Sequence, residues 1–164
     1  MRERRAQKSG FTFIEVMIAS VILMITVLGI ANYRYNSTVN IMRGHAQNGA
    51  TKVAVTLCNG WAGVDGTTAG ALSFDPLSAY TDLFSRLDTA SSGPLPPTDY
   101  TILNDTNYEI VLNGKSYFAT MSYYDESDDT RTLNVAIAWD AQSVLTNTYA
   151  TANKEYRLTM ITER

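Results

Sequence analysis

From Phe11 to Ala31 the chain reads FTFIEVMIASVILMITVLGIA, 21 residues with one charged side chain, Glu15. A helix of that length, rising ~1.5 Å per residue, matches the ~30 Å hydrocarbon core of a bilayer. Nothing else in the chain restricts the fold as strongly. With 164 residues, 45% of them hydrophobic, there is enough sequence for one compact head besides this run. Arg2, Arg4, Arg5 and Lys8 stand directly before it, and basic residues beside a spanning segment stay on the cytoplasmic side, which sends the bulk of the chain across. Tyr33, Arg34 and Tyr35 follow, in the place of an interfacial aromatic belt with a snorkelling cation.

Charge is segregated along the chain. The leader to Gly10 carries four bases against Glu3, and residues 16–64 hold Arg34, Arg43 and Lys52 with no acid. Residues 65–164 hold 14 acids against six bases. The overall balance of -3 is too mild to suggest direct nucleic-acid binding. One cysteine, Cys58, excludes an internal disulfide, and with His45 as the one imidazole an ordinary zinc site lacks ligands.

Two readings of the apolar run compete. A secretory signal has the same basic-then-apolar outline, and Gly29-Ile30-Ala31 offers small residues at a cleavage point. Against it, the uncharged stretch from Val16 to Leu28 is long for a signal core, and Glu15 has no use in one. A carboxylate inside a membrane helix costs ~2.5–3.5 kcal/mol at the bilayer centre and less near its edge, so it is a functional candidate.

Lys8-Ser9-Gly10 followed by Phe11-Thr12-Phe13-Ile14-Glu15-Val16 resembles the prepilin processing site shared by type IV pilins and the pseudopilins of type II secretion. The resemblance implies that a membrane aspartyl protease, the prepilin peptidase, cuts after Gly10 and methylates the new terminus, Phe11. Glu15 would meet the terminal amine of a neighbouring subunit during filament assembly. An expensive buried carboxylate is tolerable when a cation pairs with it. Phe13 stands where the family usually has Leu, and residues 11–62 lack the proline with which many major pilins kink their helix.

After Ala31, the apolar positions Val39, Met42, Ala46, Ala50, Val53, Leu57 and Trp61 recur at intervals of three and four, one stripe of an amphipathic helix. The spacing predicts a helix from Phe11 to about Ala62, ~78 Å long, whose first half lipid or other subunits must bury. Gly44 and Gly49 each cost ~1 kcal/mol relative to Ala there. They mark either a segment that gives way when subunits pack or a close contact with the head. His45 is expected on the surface, and Cys58 buried toward the head.

In the head, Asp75-Pro76 predicts an N-cap and first helical residue, with Leu77, Tyr80, Leu83 or Phe84, and Leu87 turned inward. The surrounding chain is expected to run irregularly to about Asn107, with SSGPLPP (91–97) a loop. From Tyr108 the period becomes two. Tyr108, Ile110 and Leu112 lead to Asn113-Gly114, the preferred type I′ hairpin pair, and Tyr117 to Tyr124 returns. Leu133, Val135, Ile137 and Trp139 share one face, and Tyr156, Leu158 and Met160 mark a last strand.

Asp125, Glu126, Asp128 and Asp129 have the oxygen density for calcium but lack the spacing of a calcium loop, and read as a solvated hairpin tip. With no phosphate loop and no Ser, His and Asp set, enzyme chemistry is not expected. The head tyrosines fit an adhesive surface, and more simply a twisted sheet.

The expected fold is α+β and pilin-like: a long N-terminal helix, its first half (11–31) transmembrane, packed by its second half on an antiparallel sheet of about four strands. Residues 1–10 form a cleaved cytoplasmic leader, 11–62 the helix and 63–164 an extracytoplasmic head. The expected function is a structural subunit of a type IV pilus or a secretion pseudopilus, a minor pilin by its terminal strand and missing proline. Its partners would be the prepilin peptidase, other pilin or pseudopilin subunits, an inner-membrane assembly platform and the lipid bilayer. Processing rests on Gly10 and Phe11 and assembly on Glu15, with no cofactor or metal. The alternative is a secreted or periplasmic binding protein with a conventional signal.

Overall fold

The computed structural model describes residues 11–63, 74–126, 130–141 and 149–163. The chain divides into two compact units, Met1–Met42 and Arg43–Arg164. The long helix, α1 (Phe13–Gly63), contributes to both. Then come α2 (Pro76–Ala79), β1 (Arg86–Ala90), β2 (Thr101–Leu112), β3 (Lys115–Asp125), β4 (Thr130–Trp139), a 3-10 turn (Tyr149–Thr151) and β5 (Lys154–Glu163).

In the first unit every large apolar side chain from Phe11 to Ile30 leaves more than half its surface exposed. The helix is long and apolar enough to cross a membrane. Two hydroxyls within its apolar part are satisfied internally: Ser20 Oγ donates to the Met17 carbonyl and Thr26 Oγ1 to that of Ile22, both at 2.8 Å. Such back-bonding lets polar residues sit where lipid offers no partner.

In the second unit the predicted stripe packs on the sheet. Ala46, Ala50, Val53, Leu57 and Trp61 are buried, with Gly49, Ala54 and Cys58 beside them. Met42 is 59% exposed and Val39 half-buried, so the buried stripe begins at Ala46, two turns later than its spacing suggested. His45 is exposed and Cys58 buried, as expected.

The sheet has five antiparallel strands in the order β1-β2-β3-β4-β5, one more than expected. The additional strand, β1, takes Leu87 out of the predicted helix and pairs it with Ile110. Asp75 does cap α2, accepting from the Leu77 N–H at 3.0 Å with Pro76 in the first turn. The helix stops after Ala79 because Tyr80 turns its hydroxyl onto the Thr56 carbonyl of α1, 2.9 Å away. Tyr80 also meets Phe74 and Phe84 edge-on. Tertiary contacts thus override a helical spacing. β2 begins earlier than predicted, its register broken between Ile102 and Asn107, with positive φ at Asn104 and Asp105.

The hairpin forms as read: φ is 53° at Asn113 and 75° at Gly114, the left-handed pair that a type I′ turn requires. Tyr108, Ile110, Tyr117, Met121, Leu133, Val135 and Ile137 face α1 as core, joined by the partly buried Tyr156, Leu158 and Met160.

The opposite face is covered as well. Ala90, Asn107, Thr120, Ala136 and Arg157 form one row across all five strands, and the 91–97 segment follows that row as a strap. Gly93 lies against Thr120 and Asn107, whose side chains bond each other at 2.8 Å. Arg157 Nη2 donates to the Leu95 carbonyl at 2.9 Å. Under this cover β4 is buried on both faces from Arg131 to Trp139.

Candidate functional site

Among the three residues expected to act, Phe11 and Glu15 are described, while Gly10 lies outside the described residues. Phe11 is 83% exposed just ahead of the helix. Thr12 is the last non-helical residue, and its carbonyl accepts from the N–H groups of Glu15 and Val16 at 3.1 and 3.3 Å. The Glu15 carboxylate reaches back over the first turn, where Oε2 accepts from the Thr12 N–H at 3.4 Å.

That reach gives Glu15 local work. The first four N–H groups of a helix have no partner within it, and a carboxylate in the first turn also meets the positive end of the helix dipole. In water the unpaired groups would be solvated. At the edge of a bilayer each one left bare is costly. Thr12-x-x-Glu15 has the spacing of a capping box, in which a glutamate at the third helical position returns to the cap N–H. Thr12 was the member missed by reading Glu15 through its charge alone; the threonine three residues before the glutamate was the available signal.

Among the described residues, no other set of chemical groups competes with this N-terminal turn. Cys58 is enclosed by the head core, and burial pushes its thiol above the ordinary range. Tyr108 and Tyr117 are likewise buried, their phenols raised mainly by desolvation. Of the acidic hairpin tip, Asp128 and Asp129 lie outside the described residues. Asp125 is held by the buried Arg131, through Nε at 2.5 Å and Nη2 at 3.2 Å. The Arg131 guanidinium also lies 5.0 Å from the centre of the Tyr123 ring. Among the described residues, no three His, Cys, Asp or Glu side chains gather as metal ligands.

Residues 5–31 match the family model of the prokaryotic N-terminal methylation motif. This is the prepilin cleavage site of type IV pilins and pseudopilins. The chain carries a prepilin-type N terminus. The match takes in Arg5 and Lys8 of the leader, the Gly-Phe junction, Glu15 and the whole apolar run. No curated protein and no solved structure matches the chain. The prepilin motif, the long apolar helix and the sheet packed on its second half together make a pilin-like α+β arrangement.

Proposed function

We propose that this prepilin is a structural subunit of a type IV pilus or of a type II secretion pseudopilus, and a minor subunit of that filament. The prepilin peptidase cuts between Gly10 and Phe11 and methylates Phe11. The subunit waits in the inner membrane with its N terminus cytoplasmic and its head periplasmic, and an assembly platform feeds it into the filament. There Glu15 pairs with the terminal amine of a neighbour.

One observation carries this reading: the methylation motif leads directly into a helix whose apolar side chains, from Phe11 to Ile30, its own unit leaves exposed. Lipid covers that surface before assembly and other subunits cover it afterwards. The exchange conserves apolar burial, so extraction from the membrane need not oppose polymerisation. The minor rank rests on a stem without proline. A signal peptide cut near Asn32 fits less well, since the helix runs without interruption through that point to Gly63.

Intact-mass analysis of the protein from its native host is the test. A mature chain beginning at methylated Phe11, recovered in sheared filaments, is the expected result. A soluble chain beginning near Asn32 would overturn the proposal and leave the head a secreted binding domain.

A further inference from the structure

Between β1 and β2 the chain leaves the sheet at 91–100, although an antiparallel connection needs only about two to five residues. From Ala90, paired with Asn107, it runs out along the outer row to Arg157 on β5. It comes back through a turn at Thr98-Asp99, where the Tyr100 N–H donates to the Pro97 carbonyl at 3.3 Å. Tyr100 then stacks on Tyr124 of β3, with ring centroids 5.6 Å apart. The outward arm lies over the Thr120–Ala136 pair and the return meets the Tyr124–Thr132 pair, with Ser122 and Asn134 between the two.

What this loop covers is polar, and is satisfied without it. Thr120 and Ser122 are fully buried and Asn134 nearly so. Thr120 Oγ1 donates to Asn107 Oδ1 at 2.8 Å and Asn134 Nδ2 to Thr159 Oγ1 at 3.0 Å, all four residues belonging to the sheet itself. The loop's own attachment is slight. Pro94 is its one buried residue, and Leu95, its one branched aliphatic side chain, is 77% exposed. Prolines at 94, 96 and 97 have no N–H to give. Among the described residues, its single hydrogen bond to the sheet is the one that Arg157 Nη2 donates to the Leu95 carbonyl at 2.9 Å. Closing the loop thus withdraws little apolar surface from water, and opening it breaks one hydrogen bond to the sheet.

We propose that loop 91–100 is a releasable cover: it swings off the sheet as one piece, while α1 and the five strands stay folded, and uncovers the hydroxyl and amide face of β3 and β4. Opening at a free energy well below that of global unfolding is what so few attachments produce. Arg157 is the catch. Gly93 is the point of close approach, where an added Cβ would lie 2.6 Å from Thr120 Oγ1 and 2.9 Å from the Asn107 amide, two side chains that hold each other. The head thereby has two outer surfaces, one bearing Leu95 and one bearing side-chain hydroxyls and amides. This cover belongs to the head alone and does not depend on the filament reading.

Thiol labelling of the full chain in detergent tests it. Thr120→Cys is the reporter under the loop, and native Cys58, buried in the core between α1 and the sheet, reports global unfolding. Peptide mapping reads both rates in one molecule. The thiol at position 120 should react at least ~10 times faster than Cys58. Arg157→Met should speed it about tenfold more, the share of one charge-assisted hydrogen bond at a partly exposed site. Gly93→Ala should speed it too, and neither change should move the Cys58 rate. Glu155→Gln removes the ion pair of Arg157 but not its bond to Leu95, and should change neither rate. If Thr120→Cys disturbs the fold, seen as a raised Cys58 rate, Ser122→Cys repeats the measurement with Asn107 and Thr120 still paired. Equal rates at the two thiols would show that the loop leaves only with the whole fold. A fast rate under the loop that is indifferent to both Arg157→Met and Gly93→Ala would show that the cover is not held as described, and either result overturns the proposal.

Discussion

The phenol of Tyr117 occupies the space into which a side chain on Gly49 would project, and from there donates to the Ala46 carbonyl one turn earlier. Helix and sheet are thus in contact through a missing side chain. Gly44, on the same weak stretch, has nothing near the position of an added Cβ.

The two glycines should therefore respond oppositely to alanine. Gly44→Ala gains helix propensity, about 0.5–1 kcal/mol, at no steric cost. Gly49→Ala gains the same propensity but must displace a ring packed tilted against Trp139, with centroids 6.5 Å apart. Overpacking costs about 1–3 kcal/mol and an orphaned hydroxyl a similar amount. Thermal unfolding in detergent should show a raised Tm for Gly44→Ala and a lowered one for Gly49→Ala. Equal shifts would mean that the helix does not approach the sheet at Gly49.

Arg131 gives a second asymmetry. Its side chain is 2% exposed, while Asp125 is 34% exposed. Removing the carboxylate strands a buried cation; removing the cation leaves an anion that water can reach. Asp125→Ala should cost about 2–3 kcal/mol, below the full range for breaking a buried pair because Asp125 is partly solvated. Arg131→Met, which keeps much of the volume over Tyr123, should cost less. Denaturant midpoints for the two variants decide it, and a larger loss for Arg131→Met would contradict the account.

High pH should unfold the head. Burial raises Cys58, Tyr80, Tyr108 and Tyr117 above their ordinary values. The folded chain therefore keeps protons that the unfolded chain releases as pH climbs through the ordinary thiol and phenol range, ~8.5–10. Their contribution is fully present below that range and is lost as pH rises through the folded values. Lys115, lowered by burial, acts in the opposite sense, one group against four. Tm should fall steadily above about pH 9, with tyrosinate absorbance appearing together with unfolding rather than before it. Tyrosinate signal from a head still folded would show these phenols to be accessible.

Legibility in the sequence followed how local each cause was. The Asn113-Gly114 turn and the Ala46 to Trp61 stripe depend on neighbours a few residues away, and both were readable. β1 was not: Arg86–Ala90 is an edge strand with little alternation, and what makes it a strand is the partner running from Val111 to Asn107. The start of β2 hid behind the irregularity at Asn104 and Asp105, where period two fails. That SSGPLPP lies across the sheet, held at Leu95 by Arg157, has no local signature. At the N-terminal turn the residue types were legible as a motif, and the Thr12 to Glu15 reach as a cap spacing that charge drew attention away from.

Glu15 then has two roles that mutation can separate. As a cap it accepts the Thr12 N–H, which glutamine also does; as the partner of a neighbour's amine it needs its charge. Glu15→Ala removes both roles and Glu15→Gln only the second. Both variants should insert into the membrane normally, because the apolar run from Val16 to Ala31 is unchanged. If the charge drives assembly, both should be equally depleted from filaments relative to the membrane pool. A Glu15→Gln chain that assembles like the wild type, beside a depleted Glu15→Ala, would assign the residue to the helix cap instead. Gly10→Val gives the matching control on processing, since a branched side chain crowds the scissile bond: its mass should retain the ten-residue leader. A mature terminus at Phe11 in that variant would remove the peptidase assignment while leaving the Glu15 comparison to stand on filament yield.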